Sequence, residues 1–164
     1  MIIENKIGFW ERSNQKDVQA ICCTTNNVIK NDGSLVMGAG CAKACSDNFP
    51  FLARNWGMLV SGMQEGGHND HYILLDGPRQ WNRDVLYIVG VQTKRHWKDP
   101  SDIDLIVESC KKLRDLADLL FWDRIICPKF GCGFGTLEWK DVEKKISKIL
   151  DDRFVIIGLS PDGV

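Results

Sequence analysis

Short apolar runs rich in β-branched residues alternate along the chain with longer segments whose apolar positions recur at helical spacing. The runs predict strands over residues 2–7, 18–24, 71–75, 85–91, 124–127 and 154–159. Val85-Leu86-Tyr87-Ile88-Val89 is apolar throughout, which suits a strand covered on both faces. The clearest helix starts at Ser101, after Pro100, with Asp104 completing a capping-box pattern. Its apolar stripe is Ile103, Ile106, Val107, Cys110, Leu113, Ala117 and Leu120. A second helix over residues 138–150 buries Val142, Ile146 and Ile149 and turns Lys140, Glu143, Lys144 and Lys148 outward. Residues 41–63 read as two helices broken near Asn48-Phe49-Pro50, because proline inside a helix removes a donor and clashes with the preceding turn. Gly66-Gly67-His68-Asn69-Asp70 reads as a loop, and Arg79-Gln80-Trp81-Asn82-Arg83 as an exposed hairpin turn. The alternation predicts an α/β fold: a mixed, mostly parallel sheet with helices on both faces. Such sheets bind ligands beyond the carboxyl ends of their strands.

Composition narrows the class. At 164 residues, 44% hydrophobic and 26% charged, the chain suits one globular domain over residues 1–164. Its 21 basic and 22 acidic residues leave a net charge of −1, which argues against gripping nucleic acid by bulk electrostatics but leaves room for one phosphate-bearing ligand. No apolar run approaches the ~20 residues of a membrane span, and the opening MIIENKIGFWERSN is charged where a signal peptide is apolar. A cytoplasmic location is the expectation. The seven cysteines are odd in number and form no CxxC pair, and the three histidines show no ligand spacing. Reduced, structural cysteines and no metal are expected.

Three loops carry candidate chemistry. The first runs from Thr24-Thr25-Asn26-Asn27 to Val36-Met37-Gly38-Ala39-Gly40-Cys41-Ala42-Lys43, from a strand end to a glycine-opened helix whose free N–H groups favour phosphate. It lacks the Walker A spacing. The second, Pro128-Lys129-Phe130-Gly131-Cys132-Gly133-Phe134-Gly135-Thr136, repeats the strand–glycine–helix order without the GxGxxG spacing of dinucleotide folds. Two such loops in one small domain point to a diphosphate held between them. The third, Gln92-Thr93-Lys94-Arg95-His96-Trp97-Lys98, is a basic, aromatic cluster at a strand end, suited to phosphate contact or base stacking.

In this order, over nearly the whole chain, Asn26, Val36-Met37-Gly38-Ala39-Gly40, Thr93-Lys94-Arg95-His96-Trp97, Pro128-Lys129-Phe130-Gly131-Cys132-Gly133 and Leu137-Glu138-Trp139 resemble the macro domain, an ADP-ribose-binding three-layer α/β/α fold. The likeness is greatest to the branch of terminal ADP-ribose glycohydrolases and the antitoxin macro domain that removes ADP-ribose from thymidine in DNA. Small stand-alone macro proteins of bacteria and phages are similar too.

The resemblance implies that Met37, Gly38, Ala39, Gly40 and Cys41, with Thr93, Gly131, Cys132, Gly133, Phe134, Gly135 and Thr136, hold the diphosphate and distal ribose. It implies that Asn26 contacts that ribose and that Lys94 is the catalytic lysine at C1″. A closed pocket with Arg95 nearby is expected to lower the Lys94 pKa, and the diphosphate to oppose it. No cofactor is implied. The partner would be ADP-ribose or an ADP-ribosylated small molecule, nucleic-acid end or protein, taken by a monomer without a membrane. Three departures stand out. Phe134-Gly135-Thr136 lacks the acidic residue found in part of the branch, and residues 27–37 form a longer insertion, suited to a lid or a substrate-specific loop. The usual adenine-contacting aspartate is replaced by the region of Trp10 and Glu11, with Leu159 and Ser160 as further candidates. Hydrolysis at C1″, by an ADP-ribosyl hydrolase or an ADP-ribose-1″-phosphate phosphatase, is the leading expectation; a non-catalytic binder of ADP-ribose or a derived nucleotide is the alternative. An unrelated α/β protein with Cys132 as nucleophile is the third.

Overall fold

A computed structural model describes residues 1–81 and 84–159. Six strands form one sheet: β1 (Ile2–Ile3), β2 (Ala20–Thr25), β3 (Ile73–Trp81), β4 (Asp84–Gln92), β5 (Ile125–Cys127) and β6 (Phe154–Ile156), in the spatial order β1-β6-β5-β2-β4-β3. All neighbours are parallel except the β3–β4 hairpin. The helices are α1 (Phe9–Ser13), α2 (Gly40–Asn48), α3 (Leu52–Glu65), α4 (Ile103–Leu119) and α5 (Trp139–Ile146), with a 3-10 turn at Gly133–Gly135.

The apolar runs serve two cores at once. On one face Ile21, Cys23, Ile88, Ile126 and Val155 pack with Phe9, Cys41, Cys45, Leu52 and Trp56 of α1–α3. On the other, Cys22, Val89, Ile125, Phe154 and Ile156 pack with Ile106, Cys110 and Leu113 of α4 and Val142 and Ile146 of α5. Alternate side chains of one strand point to opposite faces, so strands buried on both sides must be apolar at every position. This is the three-layer α/β/α arrangement.

Several expected boundaries move. α4 is capped by Asp102, whose carboxylate accepts from the N–H groups of Asp104 and Leu105; Ser101 does not cap it. Ser101 instead donates its N–H to Gly135 O at 2.9 Å. β1 stops at Ile3 and β6 at Ile156, because their parallel pairing covers only Ile2↔Val155 and Ile3↔Ile156. β3 runs on through a bulge between Asp76 and Arg79, so Arg79-Gln80-Trp81 is strand rather than turn, paired with Leu86, Val85 and Asp84. Asn82 and Arg83 of that expected turn lie outside the described residues. α1 has no counterpart in the periodicity reading, since five residues are too few to show a stripe. α5 is shorter than expected, Trp139–Ile146. All seven cysteines are free, six of them buried.

Candidate functional site

The segments that follow β2, β4, β5 and β6 all leave the carboxyl ends of parallel strands, so the three candidate loops emerge on one side of the sheet. After β2 the Asn26 side chain acts as a clasp. Its Oδ1 accepts from the Val28 N–H and its Nδ2 donates to Val36 O, both at 2.9 Å. The 27–37 insertion between them is a small hairpin, bridged at Ile29↔Leu35. Leu35 is fully buried and its N–H donates to Ala53 O of α3 at 2.8 Å, so the insertion is seated on α3. Met37 is buried beyond it, and Gly38 and Ala39 lead into α2. Ala39 offers no capping side chain and the first turn of α2 has no acidic residue. The helix start therefore keeps amide donors and a positive dipole end without a protein anion. Cys41 points into the core, where burial pushes its thiol well above the ordinary cysteine range.

The second glycine loop is shaped by close approach. A Cβ on Gly135 would stand 2.3 Å from Ser101 Oγ, so only glycine lets this loop lie on the start of α4. Gly131 and Thr136 adopt left-handed backbone, and Leu137 N donates to Gly131 O at 3.0 Å. Cys132 is half-buried, with its thiol donating to Phe130 O at 3.6 Å; burial raises its pKa. A raised pKa leaves little thiolate, which opposes the nucleophile role considered for Cys132.

The loops meet at one point. The Phe134 ring lies over Gly40, where a Cβ would stand 3.2 Å from the ring. Lys94 Nζ donates to Phe134 O at 3.4 Å. Gly40, Phe134 and Lys94 thus bring all three loops together. Partial burial lowers the Lys94 pKa, and the Asp99 carboxylate opposes that shift. Arg95 is not the cause: its guanidinium is held by Asp70 and Asp102, each at 2.9 Å.

Behind Lys94 lies a polar network that sequence reasoning missed. Gln92 is fully buried; its Oε1 accepts from the N–H groups of His71 and Tyr72, and its Nε2 donates to Asp70 Oδ1 at 3.0 Å and to Lys94 O at 3.4 Å. His71 bridges Thr25 Oγ1 at 2.7 Å and Asn27 Oδ1 at 2.8 Å. Asn27 Nδ2 donates to Asn69 O, so Asn27 Oδ1 is the acceptor and His71 carries its proton on Nδ1. Burial depresses the His71 pKa to about 4. One signal was available in the sequence: Gln92 is a polar residue ending an apolar strand at its carboxyl end. Thr93 is buried beside the network, with its N–H donating to Thr25 O at 3.2 Å.

The adenine candidates divide. Trp10 packs edge-on against Phe9 (5.1 Å between ring centres) and tilted against Phe49 (6.5 Å), in a cluster continued by Trp81. Glu11 is exposed on α1. Leu159 packs on the core beyond β6, and Ser160 lies outside the described residues. Two clefts of about 510 Å³ each, one at Asp123, Arg124 and 151–153 and one at Asn48, Phe49, Phe51 and 78–81, open at the amino ends of β4, β5 and β6. They are on the opposite end of the sheet from Lys94. Among the described residues no cluster of metal-ligating side chains occurs, and no helix is long and apolar enough to cross a membrane.

No protein-family model matches the chain. It is 30% identical over 136 residues to the DNA ADP-ribosyl glycohydrolase of Thermus aquaticus, covering 82% of this chain and 34% of that protein. The chain spans about a third or less of the length of the curated relatives it matches. Among solved structures it superposes on the macrodomain of Thermus aquaticus DarG with a TM-score of 0.65 at 28% identity, covering 87% of this chain and 89% of that one. It also superposes on Thermosipho africanus DarTG in complex with ADP-ribose, with a TM-score of 0.70 at 20% identity, covering 98% of this chain and 44% of that one. The chain has the macro-domain fold, and it resembles the macrodomain of DarG.

Proposed function

We propose that this chain binds ADP-ribose across its two glycine loops and removes it from DNA, with Lys94 acting at C1″ of the distal ribose. The observation that carries this reading is the position of Lys94 Nζ, 3.4 Å from Phe134 O where both glycine loops meet. The Thermus aquaticus relative, a DNA ADP-ribosyl glycohydrolase, supports the substrate class. In this reading the uncapped start of α2 and the turn at Gly133–Gly135 clamp the diphosphate through main-chain N–H groups. Asn26 holds the base of the first loop, its amide committed to Val28 and Val36 rather than offered to the ribose; Thr93 fixes the strand end that presents Lys94.

The chemistry follows from a neutral amine. Lys94 Nζ attacks C1″, forming a C–N bond as the bond from C1″ to the base breaks. The bonding pair leaves on the base, which takes the proton given up by the amine. Water then displaces the lysine nitrogen from C1″, giving ADP-ribose and the free amine. Because the lysine supplies the leaving-group proton, the sequence needs no acidic residue where Phe134 stands.

Wild-type and Lys94→Ala protein tested on an ADP-ribosylated oligonucleotide, an ADP-ribosyl carboxylate ester on protein, and ADP-ribose-1″-phosphate decide the matter. The oligonucleotide should be cleaved fastest, and Lys94→Ala should lose at least about 100-fold in rate while retaining ADP-ribose binding. Full activity in Lys94→Ala removes the lysine from the chemistry. ADP-ribose binding with no turnover of any substrate makes the protein a reader rather than a hydrolase.

A further inference from the structure

We propose that His71, in the segment before β3, is a positioning residue: it joins the two residues that hold the main chain of Lys94 and Arg95, and so sets where the lysine Nζ stands. The inference rests on the reading of Lys94 as the residue acting at C1″ and adds what holds it there.

Two successive carbonyls of the lysine segment are held from the core side. Gln92 Nε2 donates to Lys94 O at 3.4 Å, and Asn27 N donates to Arg95 O at 2.9 Å. Gln92 closes β4 and Asn27 follows β2, so the two holders stand at the ends of neighbouring parallel strands. His71 touches both. Its main-chain N–H donates to Gln92 Oε1 at 2.9 Å and its Nδ1–H to Asn27 Oδ1 at 2.8 Å, while Nε2 accepts from the Thr25 hydroxyl at 2.7 Å. The ring is buried and neutral, so each nitrogen has the one partner that suits it.

Each holder is itself fixed. All four polar groups of Asn27 are engaged, for besides Arg95 and His71 its Nδ2 donates to Asn69 O and its carbonyl accepts from Gln64 Nε2 at 2.9 Å. Asn27 opens the 27–37 insertion, and that hairpin is pressed onto α3: a Cβ on Gly57 would stand 2.0 Å from Gly33 O. The insertion therefore serves as a brace under Asn27 rather than a lid. On the Gln92 side the backbone is strained. Tyr72 has a left-handed φ of +60°, in a three-residue turn closed by Ile73 N donating to His71 O at 2.6 Å. That turn aims the successive N–H groups of His71 and Tyr72 at Gln92 Oε1. A residue with a Cβ takes such a conformation at a cost, which the surrounding contacts must meet.

His71 offers nothing to a ligand, since both ring nitrogens are occupied. Its effect reaches the reaction through the main chain of Lys94 and Arg95. An attacking atom displaced by about 1 Å loses about 100-fold in rate. The diphosphate, in contrast, is gripped by main-chain groups of the glycine loops, outside this network. A fault at His71 should therefore fall on kcat and leave KM and the affinity for ADP-ribose in place.

The test is the pair His71→Asn and His71→Gln, whose amides reach the places of Nδ1 and Nε2 respectively, with the ADP-ribosylated oligonucleotide as substrate. His71→Gln loses the bond to Asn27 and should lower kcat about 10- to 100-fold, with KM and ADP-ribose affinity within about 2-fold of wild type. His71→Asn keeps a donor for Asn27 Oδ1 and should restore kcat to within about 5-fold of wild type. Asn27→Ala should lose as much as His71→Gln, and the two together no more than either, because they break one connection. Amide exchange in His71→Gln should rise over residues 94–98 and stay level over residues 133–136. Equal kcat in His71→Asn and His71→Gln would make the ring a packing element and overturn the proposal, as would a loss of ADP-ribose affinity matching the loss of kcat. Wild-type kcat in His71→Gln beside an inactive Lys94→Ala overturns the positioning role and leaves the lysine reading standing. Full activity in Lys94→Ala, or no turnover by the intact protein, overturns both.

Discussion

The Lys94 ammonium donates to the main-chain oxygen of Phe134 at 3.4 Å, which couples the protonation of the loop after β4 to the position of the glycine loop after β5. Burial holds the Lys94 pKa below the ordinary lysine value of 10.5. For a base, a lowered pKa means that the neutral, nucleophilic form is reached at lower pH than on an exposed lysine. The rate of ADP-ribose release should therefore rise with pH through a midpoint below 10.5 and level off above it. Lys94→Arg keeps its charge at every working pH and has no free electron pair to offer, so it should lose at least about 100-fold in rate. A pH series of single-turnover rates checks both; a flat profile or an active Lys94→Arg variant rules out the nucleophile.

Gly40 offers a second test, at the meeting point of the two glycine loops. Its φ is +55°, left-handed backbone that costs a residue with a Cβ about 1–2 kcal/mol, and that Cβ would stand 3.2 Å from the Phe134 ring. Gly40→Ala should lower the affinity for ADP-ribose by about 10-fold, because strain falls where the main-chain amides must meet the phosphates. Its unfolding midpoint should move far less than its binding. Calorimetry of ADP-ribose binding beside urea unfolding separates the two, and unchanged affinity would place the diphosphate elsewhere.

What the sequence disclosed and what it hid have separate physical causes. The doubly covered strands were legible because a stretch with helices on both faces favours apolar residues throughout; Leu86 and Ile88 on one face and Val89 and Val91 on the other show this, whereas Val85, at the amino end of the same apolar run, is exposed. The glycine loops were legible because close approach leaves no alternative residue, as Gly135 against Ser101 illustrates. Helix starts were misread where two acceptors stood side by side. Ser101 and Asp102 both fit a cap, and the choice was made by the glycine loop, which takes the Ser101 N–H. The network of Gln92, His71, Asp70 and Asn27 stayed hidden because its members are up to 65 residues apart in sequence and meet only through the β3–β4 hairpin. Arg95 was expected to bear on the charge of Lys94, yet its pairing with Asp70 and Asp102 depends on the same long-range contacts.

The Asp102 carboxylate caps α4 and also receives Arg95, and the two roles can be parted. Asp102→Ala removes an acceptor from the Asp104 and Leu105 N–H groups and should cost about 1–2 kcal/mol in urea unfolding. Arg95→Met keeps the cap. It breaks ion pairs in which the Arg95 side chain is half exposed, each worth about 0–1 kcal/mol. A larger loss from Arg95→Met than from Asp102→Ala would show that the ion pairs, not the cap, hold the segment that carries Lys94.

His71 makes the stability of the domain depend on pH in a definite window. Buried and neutral between Thr25 and Asn27, it has a pKa of about 4, against 6.5 in the unfolded chain. Between those values the unfolded state binds a proton that the folded state refuses, so stability falls as pH falls from 6.5 to 4. At pH 5 the loss is about 1.5 pH units at 1.36 kcal/mol each, or about 2 kcal/mol. The carboxylates act in a different range. Asp17, Asp102 and Asp151 have lowered pKa values, so their contribution is intact above about 3.8 and is lost only as pH falls below it. Urea unfolding at pH 7 and pH 5 should therefore show a drop that His71→Gln reduces by half or more. An undiminished drop in His71→Gln would assign the acid sensitivity to another group and leave His71 as a hydrogen-bond bridge alone.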